Sequence, residues 1–300
     1  MDDFVVRFRG VRGSYPVPGS TTLRYGGNTS CVEVWVGDKL IILDAGTGIV
    51  NLGDELLERC KATGQPIVAT ILFSHTHHDH TQGFPFFAPA YEGSSKFYMF
   101  GPKTFDQDLA DALSRAMLAP IFPVALEEMP SLKIITNIND TEAIFIGPEN
   151  EPQIRNIFRE ESELAQDWVC VHAQRSPFHP SGGVHLIRIS WNGKSMVYAT
   201  DTEGVSGGDA RLIRFAQRCD LLIHDAQYTA DEYVNEPRQG WGHSTAEMAV
   251  FVAQQAHVKR LVLFHHDPLH DDAQLDKIQT HAQQLFAHTV VAAEGLTITL

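Results

Sequence analysis

The chain has 300 residues, 43% hydrophobic and 20% charged, which is globular composition with enough apolar material for one large domain or two small ones. Its 37 acidic against 23 basic side chains leave a net charge of −14, which opposes broad docking on a nucleic-acid backbone and favours small substrates over long polyanions. No run approaches the roughly 18 apolar residues of a membrane span, residues 1–10 lack a secretory core, and the four cysteines form no Cys-x-x-Cys pair; a soluble, cytoplasmic protein without disulfides or thiolate zinc is expected.

In chain order, apolar β-branched runs bounded by Gly, Pro or Asp predict strands at 4–8, 31–36, 40–43, 67–73 and 96–100, with helical spacing over 49–60. A helix is predicted over 104–118. Residues 120–174 read as an insertion beside the site mouth, a lid or cap with short strands at 132–136 and 143–146 and the acidic run Glu160-Glu161-Ser162-Glu163. Strands follow at 183–190 and 195–199, joined by the hairpin signal Asn192-Gly193, then at 220–223, 259–264 and 296–300. Helices are predicted over 209–217, 245–256 and 271–287. Strands and helices interleave in both halves, with no repeat and no clean linker, so residues 1–300 are expected to form a single domain of two sheets layered between helices.

The chemistry concentrates in histidine. The chain has 15, and seven of them fall within residues 75–80 and 265–270. The strand over 67–73 runs into Ser74-His75-Thr76-His77-His78-Asp79-His80, so His75, His77 and Asp79 would alternate onto one side while the chain stays extended. A turn after His77 would instead re-aim Asp79 and His80 toward a second ion about 3.5–4 Å from the first. A His-rich surface loop is the bland alternative, and the density of ligand types directly after a buried strand argues against it. Such ligands suit zinc, manganese or iron. Asp201 and His265 each follow a strand, where α/β proteins gather site residues, although Asp201 alone could be a turn residue and His265 competes with His266. By spacing, His179 competes with His172 and His185.

The motif His75-x-His77-x-Asp79-His80 resembles the signature of the metallo-β-lactamase superfamily. So do Leu43-Asp44-Ala45-Gly46-Thr47-Gly48, Phe178-His179-Pro180-Ser181-Gly182-Gly183, Ala199-Thr200-Asp201-Thr202-Glu203 and Leu263-Phe264-His265-His266, in the family's order along the whole chain. The resemblance implies an α/β (α+β) four-layer αββα sandwich of two mixed sheets. It implies two divalent ions, zinc before manganese or iron, held by His75, His77, Asp79, His80, His179, Asp201 and His265. Asp44 would brace the site, with His266 as a supporting or substrate contact. Asp225, at the end of a strand, could orient a ligand histidine or cap a helix.

Within the superfamily, Tyr198-Ala199-Thr200-Asp201-Thr202-Glu203 and Gly240-Trp241-Gly242-His243-Ser244-Thr245-Ala246-Glu247 resemble the phosphodiesterase branch, which includes ribonuclease Z and cyclic-nucleotide phosphodiesterases. There the resemblance gives His243 the role of protonating the leaving oxygen and Asp79 that of orienting the nucleophile or taking its proton, with a metal-bridging hydroxide as nucleophile. Ser244 and Glu247 read as a capping box that starts the next helix after His243. Residues 101–170 carry 13 Asp/Glu against 5 Lys/Arg, so a basic RNA-gripping arm is absent and a small phosphodiester such as a cyclic nucleotide is expected, with extended nucleic-acid binding unfavoured. Ester, thioester or lactone hydrolysis is the alternative on the same site, and iron-dependent redox chemistry the alternative of another class. A homodimer is compatible with all of these.

Overall fold

The computed structural model describes residues 3–103, 107–157, 167–205 and 207–300. Strands β1 (Phe4–Gly10), β2 (Cys31–Val36), β3 (Lys39–Leu43), β4 (Val68–Leu72), β5 (Lys96–Gly101) and β6 (Leu132–Asn137) build the first sheet. The second holds β7 (Glu142–Ile146), β8 (Pro152–Asn156), β9 (Val169–Ser176), β10 (Val184–Trp191), β11 (Lys194–Ala199), β12 (Leu221–Asp225), β13 (Leu261–Phe264) and β14 (Thr289–Val291). The last strand, β15 (Thr297–Thr299), returns to pair with β1, closing the order β15-β1-β2-β3-β4-β5-β6 beside β14-β13-β12-β11-β10-β9-β7-β8.

Three apolar layers hold the sheets and helices together. Between the sheets lie Phe4, Val6, Phe8, Ile187, Tyr198 and Phe264. Helices α1 (Gly48–Thr63), the single turn α2 (His78–Thr81) and α3 (Leu109–Ala116) accompany the first sheet, whose outer face packs Ile42, Ile71 and Phe97 against Ile49, Leu52 and Leu113. Helices α4 (Ala210–Phe215), α5 (Ala230–Asn235), α6 (Ala246–Gln255) and α7 (Asp272–Leu285) accompany the second, where Leu222 and Leu263 meet Leu212, Ala249 and Ile278. This is the expected αββα sandwich. Strands β3, β4, β11, β12 and β13 are nearly continuous apolar runs because both of their faces are covered. At the β10–β11 hairpin, Asn192 and Gly193 take φ 48° and 74°, the left-handed pair that its tight turn requires.

The described part of residues 120–174 is woven into both sheets rather than standing apart: β6 extends the first sheet, and β7 and β8 edge the second. The acidic run at 160–163, and the start of the helix predicted from 104, lie outside the described residues. All four cysteines are free. Among the described residues, no helix is long and apolar enough to cross a membrane.

The sheet topology also positions the chemistry. β3 and β4 run parallel, as do β11, β12 and β13, and their C-terminal ends open at a common edge of the sandwich. Asp44 directly follows β3, Asp201 lies two residues past β11, and His265 directly follows β13. All three adopt left-handed backbone, with φ 59°, 52° and 62°. Non-glycine residues held there store local strain, a cost that sites tolerate where a side chain must be aimed out of a strand end.

Candidate metal centre

The chain after β4 remains extended through His77 (φ −63°, ψ 155°) and then turns helically at His78–Thr81. The turn separates the motif into two halves. His75 and His77 converge with His179, from the β9–β10 connection; Asp79 and His80 converge instead with Asp201 and His265. Within each group the ligand-type atoms lie no more than 4.8 Å apart. Asp79 therefore joins the second cluster, as the turned-chain expectation required, and does not share a side with His75 and His77.

Asp201 stands between the clusters. Its Oδ1 is 3.7 Å from His75 Nε2 and 3.8 Å from His179 Nε2, while its Oδ2 is 3.1 Å from His80 Nε2 and 3.3 Å from His265 Nε2. Thr200 Oγ1 donates to that Oδ2 at 2.5 Å. Asp79 Oδ2 lies 3.4 Å from His80 Nε2 and 3.1 Å from His265 Nε2, and accepts the Ser14 backbone N–H at 2.7 Å.

These contacts fit metal ions. His75 Nε2 is buried with no hydrogen-bond partner. His77 Nδ1 faces His179 Nε2 at 3.0 Å, and His80 Nε2 faces His265 Nε2 at 3.3 Å, so ring nitrogens from different elements converge beside the carboxylate oxygens. Burial holds His75, His77 and His179 below the ordinary histidine range, which leaves them neutral and able to ligate. Burial would raise Asp79 and Asp201, but the surrounding imidazoles outweigh it and keep both ionised. His80 shows the reverse balance: burial disfavours its charge, yet Asp201, Asp79 and Asp44 push it well upward. Without a cation the cluster attracts a proton in its place. Nitrogen and carboxylate ligands of this kind bind divalent metal.

Behind the ligands, Asp44 accepts four hydrogen bonds: Ser74 N (2.7 Å), Ser74 Oγ (2.8 Å), His80 Nδ1 (2.8 Å) and Tyr198 OH (2.8 Å). A carboxylate on His80 Nδ1 sets the tautomer whose Nε2 lone pair faces the site. Asp225 does the corresponding work at the second sheet and caps no helix. It accepts from His243 Nδ1 and Ser244 N, both at 2.8 Å, and from Asp201 N at 3.1 Å. His243 is thereby held beside the clusters, its ring stacked on His265 with centroids 5.0 Å apart. Burial opposes its charge, but Asp225, Asp201 and Asp79 raise it to about 9.

Two expectations are corrected by these contacts. His266 joins neither cluster: its Nε2 donates to the Ala292 carbonyl at 2.9 Å and burial pushes it down to about 3, so it is a neutral core histidine rather than a substrate contact. The N-cap of α6 is Thr245, whose hydroxyl accepts from Met248 N, because Ser244 Oγ is spent on the Thr202 carbonyl at 2.6 Å. His172 and His185 stay outside the clusters.

Several contributors carry no sequence signal of their own. Gln227 Oε1 lies 3.0 Å from His265 Nδ1 and orients that ring. Gly242 carries φ 89° and offers its carbonyl to His179 Nδ1 at 3.1 Å; a Cβ there would meet that nitrogen at 2.3 Å. Glu203 fixes this loop by accepting from Gly240 N (2.8 Å) and Gly242 N (3.0 Å). Only the folded arrangement pairs Glu203 with residues almost forty positions away.

A sequence profile described as a Beta-lactamase superfamily domain matches residues 169–266. The ribonuclease Z of Picrophilus torridus is 24% identical over 98% of this chain and 94% of its own length. The metallo-β-lactamase fold protein YhfI from Bacillus subtilis superposes with a TM-score of 0.68 at 18% identity, covering all of both chains. Human tRNase Z, short form, superposes at 0.62 with 20% identity over 98% of each. The chain has the metallo-β-lactamase fold and resembles ribonuclease Z in sequence along nearly its whole length.

Relatives that match nearly end to end are named as ribonucleases, which overturns the expectation that extended nucleic acid is disfavoured. The charge count failed for a physical reason. A net charge sums residues over the whole surface, whereas a phosphate at the site would respond to the local field, which bound divalent cations would dominate.

Proposed function

We propose that the chain is a phosphodiesterase with a two-metal centre, in which His75, His77 and His179 hold one ion, Asp79, His80 and His265 hold the other, and Asp201 serves both. The split of the Asp201 oxygens between the two clusters carries this reading. Zinc fits the ligand set, as do manganese and iron. Two such ions, when bound, would supply an ionised water at neutral pH and positive charge for the phosphoryl oxygens.

The chain's own side chains do the rest. Asp79, pinned by Ser14 N, lies where it can orient a nucleophilic water or take its proton. His243 has Nδ1 engaged by Asp225, which leaves Nε2 to deliver a proton to the departing alkoxide. Next to it, Arg238 lies over the rings of Tyr228 and Trp241, 5.2 and 4.9 Å from their centroids. Trp241 is half exposed, and offers a stacking face and a nearby cation to a nucleotide.

RNA is the substrate class that the end-to-end resemblance to ribonuclease Z favours. A cyclic nucleotide, whose phosphodiester the same metal-assisted chemistry would accept, is the second reading. The deciding experiment measures metal content and turnover of a tRNA precursor, 3′,5′-cyclic AMP, bis-(p-nitrophenyl) phosphate and a carboxyl ester by wild type and His80→Ala. Phosphodiester turnover that falls together with about one metal equivalent supports the proposal. Turnover of the carboxyl ester alone would reject it in favour of an esterase, and a coloured, redox-active iron centre without hydrolysis would reject it altogether.

A further inference from the structure

The carboxylate of Glu203 draws three donors from two successive stretches of chain. Its Oε1 accepts the Tyr233 hydroxyl at 2.6 Å and Gly240 N at 2.8 Å, and its Oε2 accepts Gly242 N at 3.0 Å. The backbone N–H of the same residue donates to the Phe178 carbonyl at 3.0 Å, immediately before His179. One residue, two positions past Asp201, therefore ties together α5, the connection from α5 to α6 and the connection from β9 to β10. Bonds that converge on an ionised acceptor are about twice as strong as neutral ones, so this junction is firm.

The stretch held in this way needs holding. Gly240 and Gly242 take φ 82° and 89°, so Trp241 sits between two residues that have the widest choice of conformation in a free chain. The stretch is nevertheless anchored against the site. The Gly242 carbonyl faces His179 Nδ1 at 3.1 Å, and the Arg238 guanidinium lies over the rings of both Tyr228 and Trp241. The Tyr228 ring meets the His243 ring edge-on, with centroids 5.9 Å apart. Contacts thus run without a break from His243 through Tyr228 and Arg238 to the half-exposed indole of Trp241. A binding loop ordered beforehand spares its ligand the entropy of ordering it.

We propose that Glu203 and Tyr233 form a latch that sets residues 236–242 beside the metal centre, and that Glu203 is a positioning residue for nucleotide binding, acting through Trp241 and Arg238. The choice of a nucleotide as ligand rests on the phosphodiesterase reading; the latch itself does not. Glutamine cannot reproduce it. In Glu203→Gln one acceptor oxygen becomes an NH2 group, which opposes Gly242 N if it takes the place of Oε2 and Gly240 N if it takes the place of Oε1. Either way one left-handed glycine is released. Tyr233→Phe is gentler, because it keeps both amide bonds and removes only the tether to α5.

Two measurements on the metal-loaded full chain, neither of which needs turnover, test this: amide hydrogen exchange at Gly240 and Gly242, and calorimetric binding of 5′-AMP. In Glu203→Gln, exchange at one or both glycines is expected to accelerate about tenfold and AMP affinity to fall about tenfold, whereas Tyr233→Phe should lower the affinity about threefold. Metal content should match the wild type in both, since neither residue is a proposed ligand. Trp241→Ala should weaken AMP as well, and adding Glu203→Gln to it should cost less than about twofold more, the mark of a residue that acts through Trp241 rather than by loosening the whole fold. Wild-type AMP affinity in Glu203→Gln, Tyr233→Phe or Trp241→Ala, fully additive losses in the double variant, or loss of metal from Glu203→Gln would overturn the proposal. So would a wild type that binds no AMP. Wild-type turnover of phosphodiesters tests the phosphodiesterase reading separately, so the latch and that reading can fail independently.

Discussion

Asp44 touches no proposed metal position, yet its replacement by asparagine should cripple one of them. Its Oδ2 accepts from three donors at 2.8 Å: Ser74 Oγ, His80 Nδ1 and Tyr198 OH. In Asp44→Asn, with the amide oxygen kept on Ser74 N, the new amide nitrogen would sit where those three donors point. The two hydroxyls can rotate and accept. His80 can comply only by moving its proton from Nδ1 to Nε2, the nitrogen that faces Asp79, Asp201 and His265. A protonated Nε2 cannot ligate. Loss of such an orienting partner typically weakens metal binding roughly 10–100-fold, or about 1.4–2.7 kcal/mol. Removing a buried charged acceptor should cost a further 1–3 kcal/mol or so of stability. The assay is metal titration of Asp44→Asn with a chromophoric chelator, alongside thermal unfolding of the metal-free chain. We expect one metal equivalent at wild-type affinity and one weakened. Two equivalents at wild-type affinity would refute the tautomer argument, whatever happened to stability.

Further outcomes follow from the same geometry. Gly242→Ala places a methyl 2.3 Å from His179 Nδ1 at φ 89°, so it should displace that ring and lower metal occupancy at the His75–His77–His179 cluster, as read by elemental analysis; full occupancy would show that the loop yields instead. His75→Ala and His265→Ala should each lose about one metal equivalent and not two, because they lie in different clusters. His243 is raised to about 9 chiefly by Asp225, against its burial, and acts as an acid only while protonated, so rates with poor leaving groups should fall as pH rises through its value. Bound cations will move that limb below 9, and Asp225→Asn, by removing the raising charge, should move it lower still while the metals remain. A pH profile unchanged in Asp225→Asn would remove His243 from the acid role.

Much of this site was legible before folding. The strand ending at Leu72 and the ligand-rich motif that follows it are local facts, since two-residue alternation and a buried apolar run need no distant partner. Asp201 and His265 were visible as polar residues terminating apolar strands. Strands β8 and β9, each paired with β7, were harder to read: β9 mixes His172, Gln174 and Arg175 among its buried positions, and β8 has no buried position, so neither forms a clear apolar run. The misplaced cap had a similar origin, because Ser244 satisfies the local capping pattern but its hydroxyl is taken by Thr202, forty-two residues earlier.

By itself, then, the amino-acid order determined the ligand types, the strands that deliver them and the layered class of the fold, all of which depend on neighbours in the chain. Which histidines share a cluster, that Asp201 faces both groups, that His266 turns into the core while His265 does not, and that Glu203 and Gln227 hold neighbouring residues in place were decided by tertiary structure alone. Each depends on contacts between residues well separated in sequence, and on a left-handed backbone at three strand ends that only the surrounding packing can hold in place.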